Sequence, residues 1–333
     1  MPCTVIAGGF WGDEGKGKII SYLALKEPLD FCIRTGSVNA AHTIWFKGKR
    51  YALHMVPGGF VNEKCRLLIS AGSNVEIKQL LEEVELTNVK NRIGVDSQAS
   101  IIEEKHSIQD KASAHLKQVV GTTGRGVGPA IEERVRRTAK LARDILELKP
   151  YLSEVSTEVN DAIDEGKKVL LEGTQGLMLS LFHGTYPYVT GRDTSAAAIC
   201  SEAGVGPTRI DDVLVVLKSF MTRVGAGPLP GEISKEEAQK RGWFETAAGT
   251  GRDRRSAPFS FELAKKAVTI NGATQIAITK LDCVFPACQG AKTYDELSSE
   301  AKAFIDDVEK RTAVPVALVG TGPEALDIVD RRK

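Results

Sequence analysis

Asp13 and Glu14 lie inside a glycine-rich stretch, GGFWGDEGKGKII at residues 8–20, where a phosphate-binding loop ordinarily presents only glycine amides and a lysine. Gly12 through Lys18 reads G-x-x-x-x-G-K, but Ile19 stands where such loops place the Ser or Thr that touches magnesium. A triphosphate held by the amides of Gly12, Gly15 and Gly17 and by the positive end of the following helix still needs a hard oxygen for its Mg2+. Asp13 can supply that oxygen, and a carboxylate beside the γ-phosphate can also act as a general base on the attacking group. Lys16 and Lys18 balance the charge. Glu14 has a plainer reading as an acidic residue at a helix start, which stabilises by about 0.3–1 kcal/mol.

Four further segments carry chemistry. QIAITKLD, residues 275–282, reads as a strand ending in T-K-x-D. There Asp282 can accept two parallel hydrogen bonds from the ring NH and amine of guanine while the Lys280 stem packs on the base. Such a bidentate contact discriminates by about 1–3 kcal/mol. In RTGSVNAAHT, residues 34–43, His42 sits in a polar loop and can stabilise charge on a leaving diphosphate; His54 follows. VGTTGRGVGPA, residues 120–130, combines hydroxyls and glycine amides, and the Arg136–Arg137 pair after it completes an anion site or forms a solvated helix face. GTGRDRRSAP, residues 249–258, gathers three arginines that can hold a small dicarboxylate by forked contacts; lack of interleaved aromatics argues against a nucleic-acid patch.

These segments need a scaffold. The run Val5–Ala7, the glycine loop and the helix-patterned GKIISYLALK make a strand–loop–helix unit. Apolar runs follow at RLLISA, KVLLEG, DVLVVLKSF, QIAITKLD and VPVALVG, alternating with helical patterns at 75–86, 101–116, 131–148, 152–165, 236–241, 261–271 and 295–312. The alternation predicts an α/β fold with a mostly parallel central sheet flanked by helices and a P-loop-like nucleotide-binding architecture. One domain is expected over 1–333, with long functional loops at 34–60, 117–137 and 221–258.

The 333 residues, 42% of them hydrophobic, suffice for a sizeable core. With 44 basic and 43 acidic residues the net charge is +1, so no global field points to nucleic acid or an anionic membrane. Six cysteines without a CxxC pair fit reduced structural thiols. No apolar run approaches a membrane span and the first strand begins at once, so a cytoplasmic protein is expected.

Taken together, WGDEGKGK, NAAHT, GTTGRGVGPA, EGTQG, HGTYPYVT, TRVGAGP, TGRDRR, TKLD and TGP, in this order nearly end to end, resemble the adenylosuccinate synthetase family in its compact archaeal form. The resemblance implies a GTP-dependent ligase that joins L-aspartate to carbon 6 of IMP through a 6-phosphoryl intermediate, with Mg2+ as cofactor. It implies that Asp13 takes the proton of ring nitrogen 1 and binds the metal together with the Ala41 backbone. His42 and Lys16 would stabilise the phosphoryl transfer, and Gln175 would hold the 6-oxygen beside Asn39. Thr123, Thr190 and Arg137 would bind the monophosphate. Arg137 is expected from a partner subunit, hence a homodimer. Thr250, Arg252 and Arg254 would take the aspartate, and Lys280, Asp282, Thr321 and Gly322 the guanine.

The chain departs from the family pattern at Ala41, where a glycine is usual, at Asp253, which interrupts the arginine run, and at GPLPGE in place of GPFPTE. A backbone contact at residue 41 survives if φ stays negative. A viral relative of the family aminates (deoxy)GMP for diaminopurine synthesis, which is the alternative acceptor. The intact Asp13 favours IMP, and the altered loops favour (d)GMP. In the viral case the location is the host cytoplasm. A regulatory GTPase would explain the phosphate loop and Lys280 with Asp282, but not Gln175, Thr190 or the arginine loop.

Overall fold

A computed structural model describes residues 3–246 and 251–332. Ten strands form the central sheet, in the spatial order Ile328–Asp330, Val316–Gly320, Gln275–Thr279, Asp212–Lys218, Cys3–Gly8, Val169–Glu172, Phe31–Arg34, Arg66–Ile69, Ile93–Asp96 and Leu152–Ser153. Neighbours run parallel except the antiparallel edge pair Val316–Gly320 and Ile328–Asp330. The α/β reading with a mostly parallel sheet therefore holds.

Parallel sheets of this kind are covered on both faces, and the side chains divide accordingly. Ile6, Cys32, Leu67 and Ile69 join one core, whereas Val5, Ala7, Ile33 and Leu68 join another on the opposite face. A third apolar cluster sits where Phe261–Asn271 and Ser299–Thr312 pack on the Gln275–Thr279 side of the sheet. Each side chain alternates face along its strand, so the register of the central strands fixes which residues reach the site.

Several predicted boundaries move, for local reasons. The helical pattern at 131–148 becomes a helix over Val127–Arg136, stopped by the left-handed backbone of Arg137 (φ 65°), and then short 3-10 turns. It starts earlier than predicted because Gly126 (φ 78°) begins it, and Pro129 is tolerated in the first turn. The pattern at 101–116 yields Glu104–Ala112, capped by the Glu103 carboxylate and His106. DVLVVLKSF divides after Lys218, and the next strand, Phe220–Val224, pairs antiparallel with Arg254–Pro258 in a separate ribbon. The stretch expected as a loop over 34–60 carries a hairpin, His42–Phe46 with Lys49–Leu53.

All six cysteines are free, and burial pushes the Cys3 and Cys65 thiols up to about 12. That removes thiolate character at neutral pH. Among the described residues no helix is long and apolar enough to cross a membrane.

Candidate active site

The parallel central strands deliver their C-terminal ends to one edge of the sheet, where a cleft of about 820 Å3 opens. At its floor lies the turn after Cys3–Gly8. Gly12 and Gly15 take positive φ (85° and 84°), and Asp13 shares that left-handed backbone at 59°. The helix Lys16–Lys26 that follows has Gly15 as its N-cap, with no side-chain cap and no acidic residue in its first turn. Its first amides are thus left for an anion. Gly17 has a packing reason as well, since a Cβ there would meet the His42 Cβ at 3.0 Å.

The two carboxylates of the loop do different work. Glu14 is buried, accepts from the amides of Phe10 (2.9 Å) and Gly12 (2.8 Å), and holds the Lys16 ammonium at 2.8 Å. It folds the loop on itself and caps no helix, so the helix-start reading of Glu14 is replaced by this one. Lys16 also donates to the Gln175 carbonyl. Asp13 instead faces the cleft, with Arg254 Nε 2.9 Å from its Oδ2.

Gln175, itself left-handed at φ 59°, gathers two predicted residues, Asn39 and Thr190, around one amide. Its Nε2 donates to Asn39 Oδ1 and Thr190 Oγ1, both at 3.3 Å, and its Oε1 accepts from Thr174 at 3.0 Å. Thr123 and Ala41 also line the cleft, and Ala41 keeps a negative φ, so alanine costs nothing there.

His42 is held from behind. Glu172 and Arg34 end neighbouring strands in register with each other, and Glu172 Oε1 takes both Arg34 Nη1 and His42 Nδ1, the latter at 2.5 Å. A carboxylate that close fixes the proton on Nδ1 and leaves Nε2, which has no partner among the described residues, for the cleft. Arg34 also donates to the carbonyls of Ala40 and Leu53, tying loop and hairpin to the sheet. Burial, with the Arg34 charge, lowers His42 from 6.5 to about 4. Burial opposes ionisation of Glu172, but Arg34 and His42 outweigh it and hold its carboxyl at about 2.

The signs add. Between 4 and 6.5 the unfolded His42 binds a proton that the folded one refuses, and between 2 and 4.5 the same holds for Glu172. Stability is therefore lost on acidification, beginning below pH 6.5. Urea denaturation from pH 7.5 to 4.5 should give a falling unfolding free energy, and a His42→Gln variant should flatten its upper part.

On the far side, Lys280 and Gly322 line the cleft, while Asp282 and Thr321, each close to one of them in the chain, do not line it. Asp282 is half-buried with Oδ1 unpartnered among the described residues, and burial raises its carboxyl above the usual range. Thr321 is buried and donates to the Ala291 carbonyl. Lys18 lies in the wall between, where burial lowers it to about 8 despite Asp327 and Asp282 nearby.

Arg252 and Arg254 both line the cleft, and Arg252 Nη1 reaches the Gly121 carbonyl at 3.1 Å. Thr250 lies outside the described residues. Arg137 is exposed at the end of its helix and does not line this cleft. Sequence reasoning missed Arg34, Glu172, Lys218 and Glu245. The first three share one signal, a charged residue closing an apolar strand in FCIR, VLLE and DVLVVLK.

The chain matches the family model described as adenylosuccinate synthetase over residues 5–148 and 139–287. It is 50% identical over 336 aligned positions to the adenylosuccinate synthetase of Thermococcus onnurineus, covering 100% of this chain and 99% of that one. The Methanocaldococcus jannaschii adenylosuccinate synthetase is 51% identical over 336 positions, covering 100% and 97%. Among solved structures, fully ligated adenylosuccinate synthetase from Plasmodium falciparum superposes with a TM-score of 0.91 at 26% identity, covering 99% of each chain. A cyanophage S-2L succinoaminodeoxyadenylate synthetase, bound to dGMP and to dATP as energy donor, shares the fold with a TM-score of 0.85 at 24% identity, covering 100% of this chain and 96% of that one.

Proposed function

Since the chain belongs to the adenylosuccinate synthetase family, whose members are carbon–nitrogen ligases, we propose that this cleft joins L-aspartate to carbon 6 of IMP at the expense of GTP. The observation that carries the reading is one cleft lined at once by an uncapped helix N-terminus, Asp13, His42, Gln175, the arginine loop and Lys280.

In this reading the GTP phosphates rest on the amides of Gly15 and Gly17, with Lys18 beside them. Gln175 aligns the 6-oxygen of the purine, supported by Asn39. Asp13 accepts the proton from ring nitrogen 1, so the 6-oxygen attacks the γ-phosphate. His42 Nε2 and the Lys16 charge answer the negative charge that builds on the departing GDP. Arg252 and Arg254 grip the aspartate carboxylates, and the free amine displaces phosphate from carbon 6. Thr123 and Thr190 hold the monophosphate. Arg137 points out of its own cleft and would complete a neighbour's in a homodimer.

The oxygen donors on hand, the exposed Asp13 carboxylate and the Ala41 carbonyl, fit Mg2+, which keeps most of its ligands as water and phosphate oxygens. When bound it neutralises charge on the phosphates. Asp282 and Lys280 read the guanine, with Thr321 and Gly322 closing that pocket. Asp282→Asn should narrow the GTP-over-ATP preference by about 10- to 100-fold, and steady-state rates with both donors measure it.

The test of the whole reading is phosphate release from GTP with Mg2+ and L-aspartate, comparing IMP, GMP and dGMP, with mass analysis of the product. Succinylated IMP is expected, in keeping with about 50% identity to chains named adenylosuccinate synthetase. Succinylated dGMP would make the changes around Ala41 and Asp253 determinants of the acceptor, and turnover without aspartate would return the chain to a GTPase.

A further inference from the structure

We infer that Glu245 is a positioning residue that sets the aspartate-side Arg254 and the guanine-side Lys280 from a single carboxylate, with the buried Lys218 as its anchor. The inference rests on the ligase reading above for the identity of the two subsites. Its geometry stands apart from that reading.

Three cations converge on Glu245. Lys218 Nζ lies 2.7 Å and Arg254 Nη1 2.5 Å from Oε2, and Lys280 Nζ lies 3.3 Å from Oε1. Lys218 closes the strand Asp212–Lys218, and its register partner Thr279 closes the next strand, immediately before Lys280. The sheet itself therefore presents both lysines side by side. Lys218 is fully buried, lies 4.4 Å from the Phe220 ring centroid and donates to Thr222 at 3.2 Å. Glu245 is the carboxylate it pairs with, and a buried ammonium without one is costly.

Glu245 also closes the arginine loop. Its carbonyl accepts from the Arg254 amide at 2.9 Å, and Thr246 bridges to Asp253. Backbone and side chain together hold Arg254 at one place in the cleft wall. Burial disfavours the Glu245 charge, yet Lys218, Lys280 and Arg254 hold its carboxyl well below the usual range. The carboxylate is thus fully charged throughout the neutral range.

Arg254 has a second carboxylate, Asp13 Oδ2, at 2.9 Å from Nε. With the Glu245 charge removed, Arg254 is pulled toward Asp13, away from an incoming aspartate and onto the group that must accept a proton. Lys280 loses the charge that holds its stem against the base. The aspartate and GTP sites should weaken together while the monophosphate contacts of Thr123 and Thr190 are untouched.

The experiment compares the wild type with Glu245→Gln, Glu245→Asp and Lys218→Met in initial rates over GTP, IMP and L-aspartate. Glu245→Gln should raise KM for both L-aspartate and GTP by about tenfold or more. KM for IMP should stay within about twofold. Glu245→Asp should restore part of the loss, and Lys218→Met should fall between it and the wild type. Unchanged KM values for aspartate and GTP, or a rise shared equally by all three substrates, overturns the assignment. If Glu245→Gln does not fold, judged by its melting curve, Glu245→Asp carries the same comparison. If the wild type makes no succinylated product, the ligase reading fails by itself, and calorimetric affinities of the variants for Mg-GTP and for L-aspartate decide the positioning role.

Discussion

Asp13→Asn lowers turnover by about 10²- to 10⁴-fold, the contribution of a well-placed general base, while GTP and IMP still bind. Asparagine keeps the size and the left-handed backbone that residue 13 requires, because Asn tolerates φ near 59° better than most residues. It also keeps an oxygen toward Arg254. What it loses is the ability to take a proton and the negative charge proposed to face Mg2+. The loop should stay folded, since Glu14 and not Asp13 holds the amides of Phe10 and Gly12. Rapid-quench measurement of GTP cleavage, beside calorimetric titration with each nucleotide, separates binding from chemistry. Activity within a few fold of the wild type would falsify the general-base assignment.

Glu172→Gln is expected to have the largest effect on stability, a loss of about 3–5 kcal/mol, because it leaves a buried guanidinium without its counter-charge. Arg34 and Glu172 are both essentially inaccessible, at 2% and 0% exposure. Glutamine with its oxygen on the Gly58 amide, which donates to Glu172 at 2.6 Å, keeps the volume but turns its NH2 toward Arg34 and His42, so both the charge and their acceptor are removed. A second effect should accompany the first. With no carboxylate to fix Nδ1–H, His42 loses its orientation and kcat falls even at temperatures where the variant is folded. Guanidinium denaturation supplies the first number and rates at low temperature the second. A loss below about 1 kcal/mol would mean that the cluster is better solvated than its burial implies.

Much of the cleft was legible in the sequence because its parts lie in short, locally constrained segments. Gly12, Gly15, Lys16 and Lys18 are read from one turn, and TKLD from the end of one strand. The fold class followed from alternating apolar runs and helical patterns. What could not be read was pairing across the sheet. Arg34 and Glu172 are 138 positions apart and meet only because their strands are neighbours in register. Lys218 and Lys280 come together through the register of Lys218 with Thr279, and Glu245 reaches them from the segment before the Thr246–Asp253 bridge. Periodicity also misjudged 131–148, because an arginine turning left-handed at 137 leaves no mark in an amphipathic pattern. The hairpin of residues 42–53 was hidden by its short strands and by a Lys47–Gly48 turn in which both residues have positive φ.

The order of strands across the sheet has a consequence for synthesis. The central strand, Cys3–Gly8, is made first, yet its sheet neighbours are Val169–Glu172 and Asp212–Lys218. The cleft wall is completed only by Gly322 and Pro323, more than 300 positions later. A nascent chain emerging at about 5–20 residues per second must therefore carry an unpaired apolar first strand for roughly ten seconds or more before a partner exists. Such high contact order makes formation slow and the unpaired edge sticky. Because the phosphate loop hangs from that first strand, capacity to hold a nucleotide should arrive late and all at once, which makes nucleotide capture a reporter of chains extended past Gly322.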